Sequence, residues 1–149
     1  MRVREAKPED ALRLFELYHQ LVNNPGVKVE PEQIQAVYDD ERSMLFVCDY
    51  QGDVVGSALV SLCSDVMFRK QPFAIVENVI VDVAARGLGV GSALFKEIDI
   101  FCVNTNCSKI MLLSASQRTD SHAFFEKQGF KGALKRGFVK YRSTFSSAE

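Results

Sequence analysis

The sequence has little that would hold a metal. Its four cysteines, Cys48, Cys63, Cys102 and Cys107, form no C-x-x-C pair, and its two histidines, His19 and His122, are not near them. Zinc-ligand spacing is therefore absent, and no metal is expected. Cys48 and Cys63 fall in apolar, strand-like runs, where a free thiol behaves as a small hydrophobe. No apolar run approaches the roughly 20 residues of a membrane span. The opening Met1-Arg2-Val3-Arg4-Glu5 leads into a polar stretch rather than a signal-peptide core. The formal net charge is only −1, which gives no electrostatic reason to expect nucleic acid or an anionic membrane. Linkers, internal repeats and low-complexity tracts are missing too. These absences point to a cytoplasmic protein with one domain over residues 1–149. Its 47% apolar and 25% charged residues suit a globular core with a solvated surface.

Glycine, by contrast, is concentrated in one place. Arg86-Gly87-Leu88-Gly89-Val90-Gly91-Ser92 sets three glycines at alternate positions. An apolar run, Ile75 to Val83, precedes it, and an amphipathic stretch, Ala93 to Phe101, follows. The order predicts strand, tight turn and helix. Glycine opens backbone angles closed to other residues and removes the Cβ from the path of a ligand. The first helical turn adds unpaired N–H groups and the positive end of its dipole. Such a site suits phosphate, and Arg86 supplies a fixed cation beside it.

Two nucleotide fingerprints fit these residues poorly. The dinucleotide motif G-x-G-x-x-G needs a glycine where Ser92 stands, and an acidic residue about 20 residues on. The next predicted strand, Lys109 to Ser114, carries none. The P-loop needs a lysine that this loop lacks. A nicotinamide-dependent oxidoreductase is thereby disfavoured.

The same residues resemble the acetyl-CoA signature of the GNAT N-acetyltransferase superfamily, [RQ]-x-x-G-x-[GA], filled by Arg86, Gly89 and Gly91. Glu77-Asn78-Val79-Ile80-Val81, just before it, looks like the family's fourth strand. Ser121-His122-Ala123-Phe124-Phe125-Glu126-Lys127-Gln128-Gly129-Phe130 is similar to its A-H-x-F-Y-E-x-x-G-F ending. Ser121 replaces alanine there, and Phe125 replaces tyrosine. The resemblance runs from Met44 to Phe130 and implies an α/β fold. Its mixed, mostly antiparallel sheet is flanked by helices, and its fourth and fifth strands splay apart.

Taken in order, the chain predicts a first strand over Val3 to Lys7. A helix opens at Pro8-Glu9-Asp10 and carries an apolar face of Leu12, Phe15, Leu17, Leu21 and Val22. Asn23-Asn24-Pro25-Gly26 breaks it. A short helix follows from Pro31, with Ile34, Val37 and Tyr38 on one side. Strands over Met44–Tyr50 and Val54–Leu62 flank a hairpin turn at Gln51-Gly52-Asp53. Phe73 to Val83 reads as a central strand covered on both faces. After the glycine loop come a helix ending at Thr105-Asn106, the strand Lys109 to Ser114 and a helix over Asp120 to Gln128. Gly129 stops that last helix. A final strand, Phe138 to Phe145, and a frayed tail, Ser146 to Glu149, complete the β-α-α-β-β-β-α-β-α-β order.

The resemblance also implies the chemistry. Acetyl-CoA is the co-substrate and a primary amine of a small molecule, or a protein amine, is the acceptor (EC 2.3.1.-). The pantetheine arm lies along Val79, Ile80 and Val81, and the Val79 N–H polarises the thioester carbonyl. Arg86, Gly87, Leu88, Gly89, Val90, Gly91 and Ser92 hold the pyrophosphate; Arg118 reaches the cofactor's phosphates or caps the following helix region, and Phe124 is a further cofactor contact. Glu77 reads either as the base or as a structural carboxylate bonded to backbone or arginine. By the two-residue period it shares a face with Ile75, Val79 and Val81. His122 reads as a proton carrier or as a structural histidine. Asn23 to Glu30 faces the acceptor or is a plain connection. The late basic residues Lys131, Lys135, Arg136, Lys140 and Arg142 favour an acidic acceptor or form a solvated face. Family members often dimerise, which leaves a homodimer open. Phe125 has no hydroxyl to protonate the leaving thiolate, so a CoA-binding module without transfer activity stands as the alternative.

Overall fold

The computed structural model describes residues 1–147, so Ala148 and Glu149, the end of the expected frayed tail, lie outside the described residues. The chain forms two compact units, Met1–Leu112 and Leu113–Glu149.

The first unit is built on a five-stranded sheet in the order β1-β2-β3-β4-β5. Its strands are β1 (Arg2–Glu5), β2 (Ser43–Tyr50), β3 (Asp53–Cys63), β4 (Phe73–Val81) and β5 (Ile110–Leu112). Neighbours pair antiparallel except β4 and β5, which run parallel. The helices are α1 (Ala11–Leu21), α2 (Pro31–Asp39) and α3 (Val90–Asn104). This is the mixed, mostly antiparallel architecture that the sequence resemblance implies.

Alternation along β2 assigns the layers. Leu45 and Val47 pack with Leu14, Leu17 and Ile34, so α1 and α2 cover their face. Phe46 points the other way and meets Phe101 of α3 edge-on, with ring centroids 6.2 Å apart. The buried residues of α3, Val90, Leu94, Phe95, Ile98 and Cys102, recur at helical spacing. The strands β2 and β3 are joined by Gln51 (φ 52°) and Gly52 (φ 84°). Positive φ at both positions matches the right-handed twist of the flanking strands.

Several boundaries differ from the sequence reading. Pro8–Asp10 is a 3-10 turn, and α1 starts only at Ala11. The buried face of α1 is Leu14 and Leu17, with Ala11, Tyr18 and Leu21 packed beside them. Leu12 is 71% exposed, because it lies off the i, i+3, i+4, i+7 stripe that begins at Leu14. Tyr38 is also exposed. The strand β4 stops at Val81, since Asp82 caps the 3-10 turn Val83–Ala85 instead of extending the sheet.

The second unit contains α4 (Thr119–Lys127), stopped at Gly129 (φ 95°) as expected. The Gly129 and Phe130 N–H groups return to the Glu126 and Phe125 carbonyls. The expected strand Phe138 to Phe145 does not form. Among the described residues this segment holds only the 3-10 turn Arg142–Thr144, and Phe138 is 86% exposed. An alternating apolar pattern makes a strand only where a neighbouring strand satisfies its backbone and an apolar layer covers its side chains. Neither condition is met within this unit. Among the described residues, no helix is long and apolar enough to cross a membrane.

Candidate functional site

The site is organised by two breaks in the regular sheet. The first is a bulge in β4. Leu59 lies opposite Glu77 and Ser57 opposite Ile80, so Asn78 and Val79 together face Ala58. Asn78 takes φ 55°, the left-handed region that asparagine tolerates better than most residues. The bulge also shifts the faces beyond it. Ile80 joins the face of Ile75 and Glu77 and packs with Leu14 and Leu17. Val81, opposite Gly56, turns to the α3 face. The strict two-residue period, which put Val81 on the Glu77 face, therefore fails at Asn78.

The second break separates β4 from β5. Their pairing covers Ala74, Ile75 and Val76 only, so residues Glu77 to Val81 have no strand on that side among the described residues. Five residues of backbone are left open beside the bulge, and a strand-like ligand can hydrogen-bond there. Within this stretch Glu77 and Asn78 are exposed. The expected cover on both faces of β4 is thus interrupted at Glu77 and Asn78 and resumes at Ile80, which is buried. No hydrogen bond or ion pair holds the Glu77 carboxylate among the described residues. Its charge is tolerated because water reaches it.

At the end of β4 the chain turns through Val83–Ala85 into the glycine loop. Arg86, Gly87, Leu88 and Gly89 are all exposed. Gly87 has φ 79° and Gly89 has φ 85°, and Gly89 is the N-cap residue of α3. These angles are why glycine stands at both positions. Val90 and Gly91, in the first turn of α3, are buried. The helix can approach the sheet so closely because Gly56 has no side chain. A Cβ there would lie 2.6 Å from Val90 Cγ1 and 3.1 Å from the Ile80 carbonyl oxygen. The N-terminal turn of a 15-residue helix, the positive end of its dipole, thus opens beside an exposed arginine, a combination able to hold phosphate oxygens.

Comparison with known proteins agrees with this geometry. The Acetyltransferase (GNAT) family matches residues 11–130. The chain belongs to the GNAT acetyltransferase family. An aminoglycoside N(6')-acetyltransferase type 1 of Stenotrophomonas maltophilia is 27% identical over 131 residues, which is 87% of this chain and 85% of the relative. A protein of Agrobacterium tumefaciens str. C58 classed as an acetyltransferase superposes with a TM-score of 0.86 at 28% identity, over 95% of this chain and all of its own. An acetyltransferase of Trypanosoma brucei gives 0.78 at 25% identity, over 94% and 99%.

The GNAT signature residues are thus brought together with β4 in one unit, from Glu77 through Ser92. Arg118, His122, Phe124 and Phe125 belong to the second unit, while the Asn23 to Glu30 segment lies in the first. Arg118 is the N-cap residue of α4 but makes no side-chain cap. His122 Nε2 lies 2.9 Å from the Ala115 carbonyl oxygen, so Nε2–H donates there and ties the helix to the loop before it. Phe124 lines an open hollow of about 660 Å³ with Asp120, Ala123, Glu126 and Lys127. Phe125 packs against Phe124 and Phe130, with centroids at 5.6 and 6.3 Å.

Sequence reasoning missed three residues that shape the first unit's site. Gly56 looks like an ordinary strand residue until α3 is placed on it. Arg13 and Gln20 of α1 reach the turn after β4. Their i, i+7 spacing puts both on one face of α1, but nothing in the chain names what that face meets. No group of three or more histidine, cysteine or acidic residues able to hold a metal occurs among the described residues.

Proposed function

We propose that this protein transfers the acetyl group of acetyl-CoA to a primary amine of a small molecule. The observation that carries the reading is the open backbone of Glu77–Val81 leading directly into the Arg86–Ser92 loop. The pantetheine amides pair along Val79, Ile80 and Val81, and the pyrophosphate rests on the loop and the start of α3. Val79 N–H, at the bulge, donates to the carbonyl oxygen as it gains charge. The amine nitrogen attacks the carbonyl carbon, the C–S bond breaks, and the thiolate leaves. Glu77, directly or through water, takes the proton that the amine loses. The name of the Stenotrophomonas relative, an aminoglycoside N(6')-acetyltransferase, supports a small-molecule amine as the acceptor. The cytoplasm, where acetyl-CoA is supplied, fits as the working compartment.

The test is release of free CoA across a panel of amines that includes an aminoglycoside, with a thermal melt for binding. Acetyl-CoA should raise the melting temperature by mass action, and Gly89→Asp should abolish the rise. CoA release should exceed the hydrolysis blank with at least one amine. Binding without release by any amine would favour the CoA-binding module, the reading that Phe125 supports. No stabilisation by acetyl-CoA would refute both.

A further inference from the structure

The glycine loop is exposed, and its four residues Arg86 to Gly89 are not held by burial. Its exit is fixed by Val90 and Leu94 packing over Gly56. Its entry, the turn Val83–Ala85, needs another anchor, because Val83 and Ala84 are exposed and only Ala85 is buried.

The anchor comes from α1. Gln20 Oε1 accepts the Val83 N–H at 3.0 Å, and Gln20 Nε2 donates to Asp82 Oδ1 at 3.3 Å. Asp82 Oδ1 also accepts the Ala84 N–H at 3.0 Å, and the Asp82 carbonyl accepts the Ala85 N–H at 2.8 Å. Three successive N–H groups of the turn are thus satisfied, one by Gln20 and two by Asp82. Arg13 holds Asp82 in turn. Its Nη2 donates to Asp82 Oδ2, and its Nε donates to the Val54 carbonyl at 2.8 Å. Arg13 also faces Asp53 and Glu16 at 3.3 and 3.0 Å. The Asp82 N–H closes the frame on the Val55 carbonyl at 2.8 Å.

Electrostatics gives this frame a second task. Asp82 is a carboxylate four residues before Arg86, on the path to a loop that must receive an anion. Unpaired, it would repel a pyrophosphate; paired with Arg13, it does so far less. Asp82 is held below the ordinary carboxylate range by the Ala84 N–H first and by Arg13 next, so it stays charged at working pH and needs its partner.

We propose that Arg13 and Gln20 are positioning residues for the cofactor: from α1 they fix the entry of the phosphate loop and neutralise the carboxylate at its edge. The inference rests on the acetyltransferase reading. It separates the role of α1 in cofactor binding from the chemistry at Glu77 and Val79, which these side chains do not touch.

The experiment measures acetyl-CoA binding by calorimetry, the KM for acetyl-CoA, the acceptor KM and kcat. It uses wild type, Gln20→Ala, Arg13→Gln, Arg13→Lys and Arg13→Gln/Asp82→Asn. Amide exchange at Val83 and Ala84 is followed in parallel. Gln20→Ala, at an exposed position, should raise the acetyl-CoA KM and Kd roughly three- to tenfold, the effect of one lost hydrogen bond. The acceptor KM and kcat should stay near wild type, and Val83 exchange should quicken. Arg13→Gln should weaken binding further, Arg13→Lys should recover part of it, and the added Asp82→Asn should recover part by removing the stranded charge. Wild type that binds acetyl-CoA beside a Gln20→Ala variant with unchanged Kd and Val83 exchange would overturn the positioning role and leave the acetyltransferase reading standing. A fall in kcat with the acetyl-CoA KM unmoved would overturn it too. If wild type itself does not bind acetyl-CoA, both readings fall.

Discussion

Gly56→Ala tests how closely α3 is set on the sheet. The added Cβ would lie 2.6 Å from Val90 Cγ1, 3.1 Å from the Ile80 carbonyl oxygen and 3.3 Å from Leu94 Cδ1. The first neighbour belongs to a β-branched side chain with little χ1 freedom in a helix, and Val90 is buried. The second is main chain. Neither can give way locally, so the first turn of α3 must lift. Overpacking of this kind costs about 1–3 kcal/mol. At about 3 °C per kcal/mol for a chain of this length, the melting temperature should fall by roughly 3–9 °C. Because the lifted turn is the one that ends the glycine loop, acetyl-CoA should also stabilise the variant less than wild type. Adding Val90→Ala removes the atom in closest conflict. The double variant should therefore lose less stability than the two single losses combined, a coupling expected only of residues in contact. Thermal melts with and without acetyl-CoA read all three quantities. A Gly56→Ala protein that melts within 1 °C of wild type by that measure and responds equally to acetyl-CoA would refute the reasoning.

Three further outcomes follow. Glu77→Gln keeps shape but not basicity, so turnover should drop by about 10²–10⁴ while calorimetry shows unchanged acetyl-CoA binding; unchanged turnover across pH would remove Glu77 from the chemistry. Phe125→Tyr, which supplies the tyrosine of the GNAT ending that this segment resembles, should raise CoA release over the same amine panel with little change in acetyl-CoA affinity, and no gain, or a loss in acceptor affinity, would favour a binding module or an apolar wall for the acceptor at Phe125. Asp10→Asn should destabilise the fold by roughly 1–3 kcal/mol near neutral pH, since Arg4 forks onto that carboxylate at 2.8 and 2.9 Å. The Asp10 pKa is lowered, by Arg4 first, so its contribution is full above the unfolded carboxylate value and fades as pH falls through the lowered one. Denaturant melts of the two proteins should accordingly converge in acid, and a gap that persists there would contradict the ion pair.

The features legible in the sequence are those that depend on local chemistry. Gly87 and Gly89 announce positive φ, Gly129 announces a helix stop, and the apolar run from Phe73 announces a strand. The features that were not legible depend on what lies across the fold. Nothing in Glu77-Asn78-Val79 marks an extra residue; the bulge exists only in relation to Leu59 and Ser57 on β3. Leu12 reads as core until the helix phase is set by Leu14 and Leu17. Phe138 to Phe145 carries a strand-like pattern, yet a strand needs a partner that no single segment can supply. Gly56, Arg13 and Gln20 were passed over for the same reason, since each acts on an element distant in sequence.

The open stretch of β4 also bears on how the protein behaves alone in solution. A row of unpaired backbone groups in an apolar strand is a template on which another chain can add, and sheets left this way tend to aggregate. Here the row is interrupted where it is most exposed. The bulge at Asn78 breaks the flat hydrogen-bonding register, and the Glu77 charge stands in the same place. Both are devices that discourage edge-to-edge association between proteins. The Asn78 bulge and the Glu77 charge thereby act as gatekeepers against a foreign strand on the same stretch that is proposed to hold the pantetheine arm.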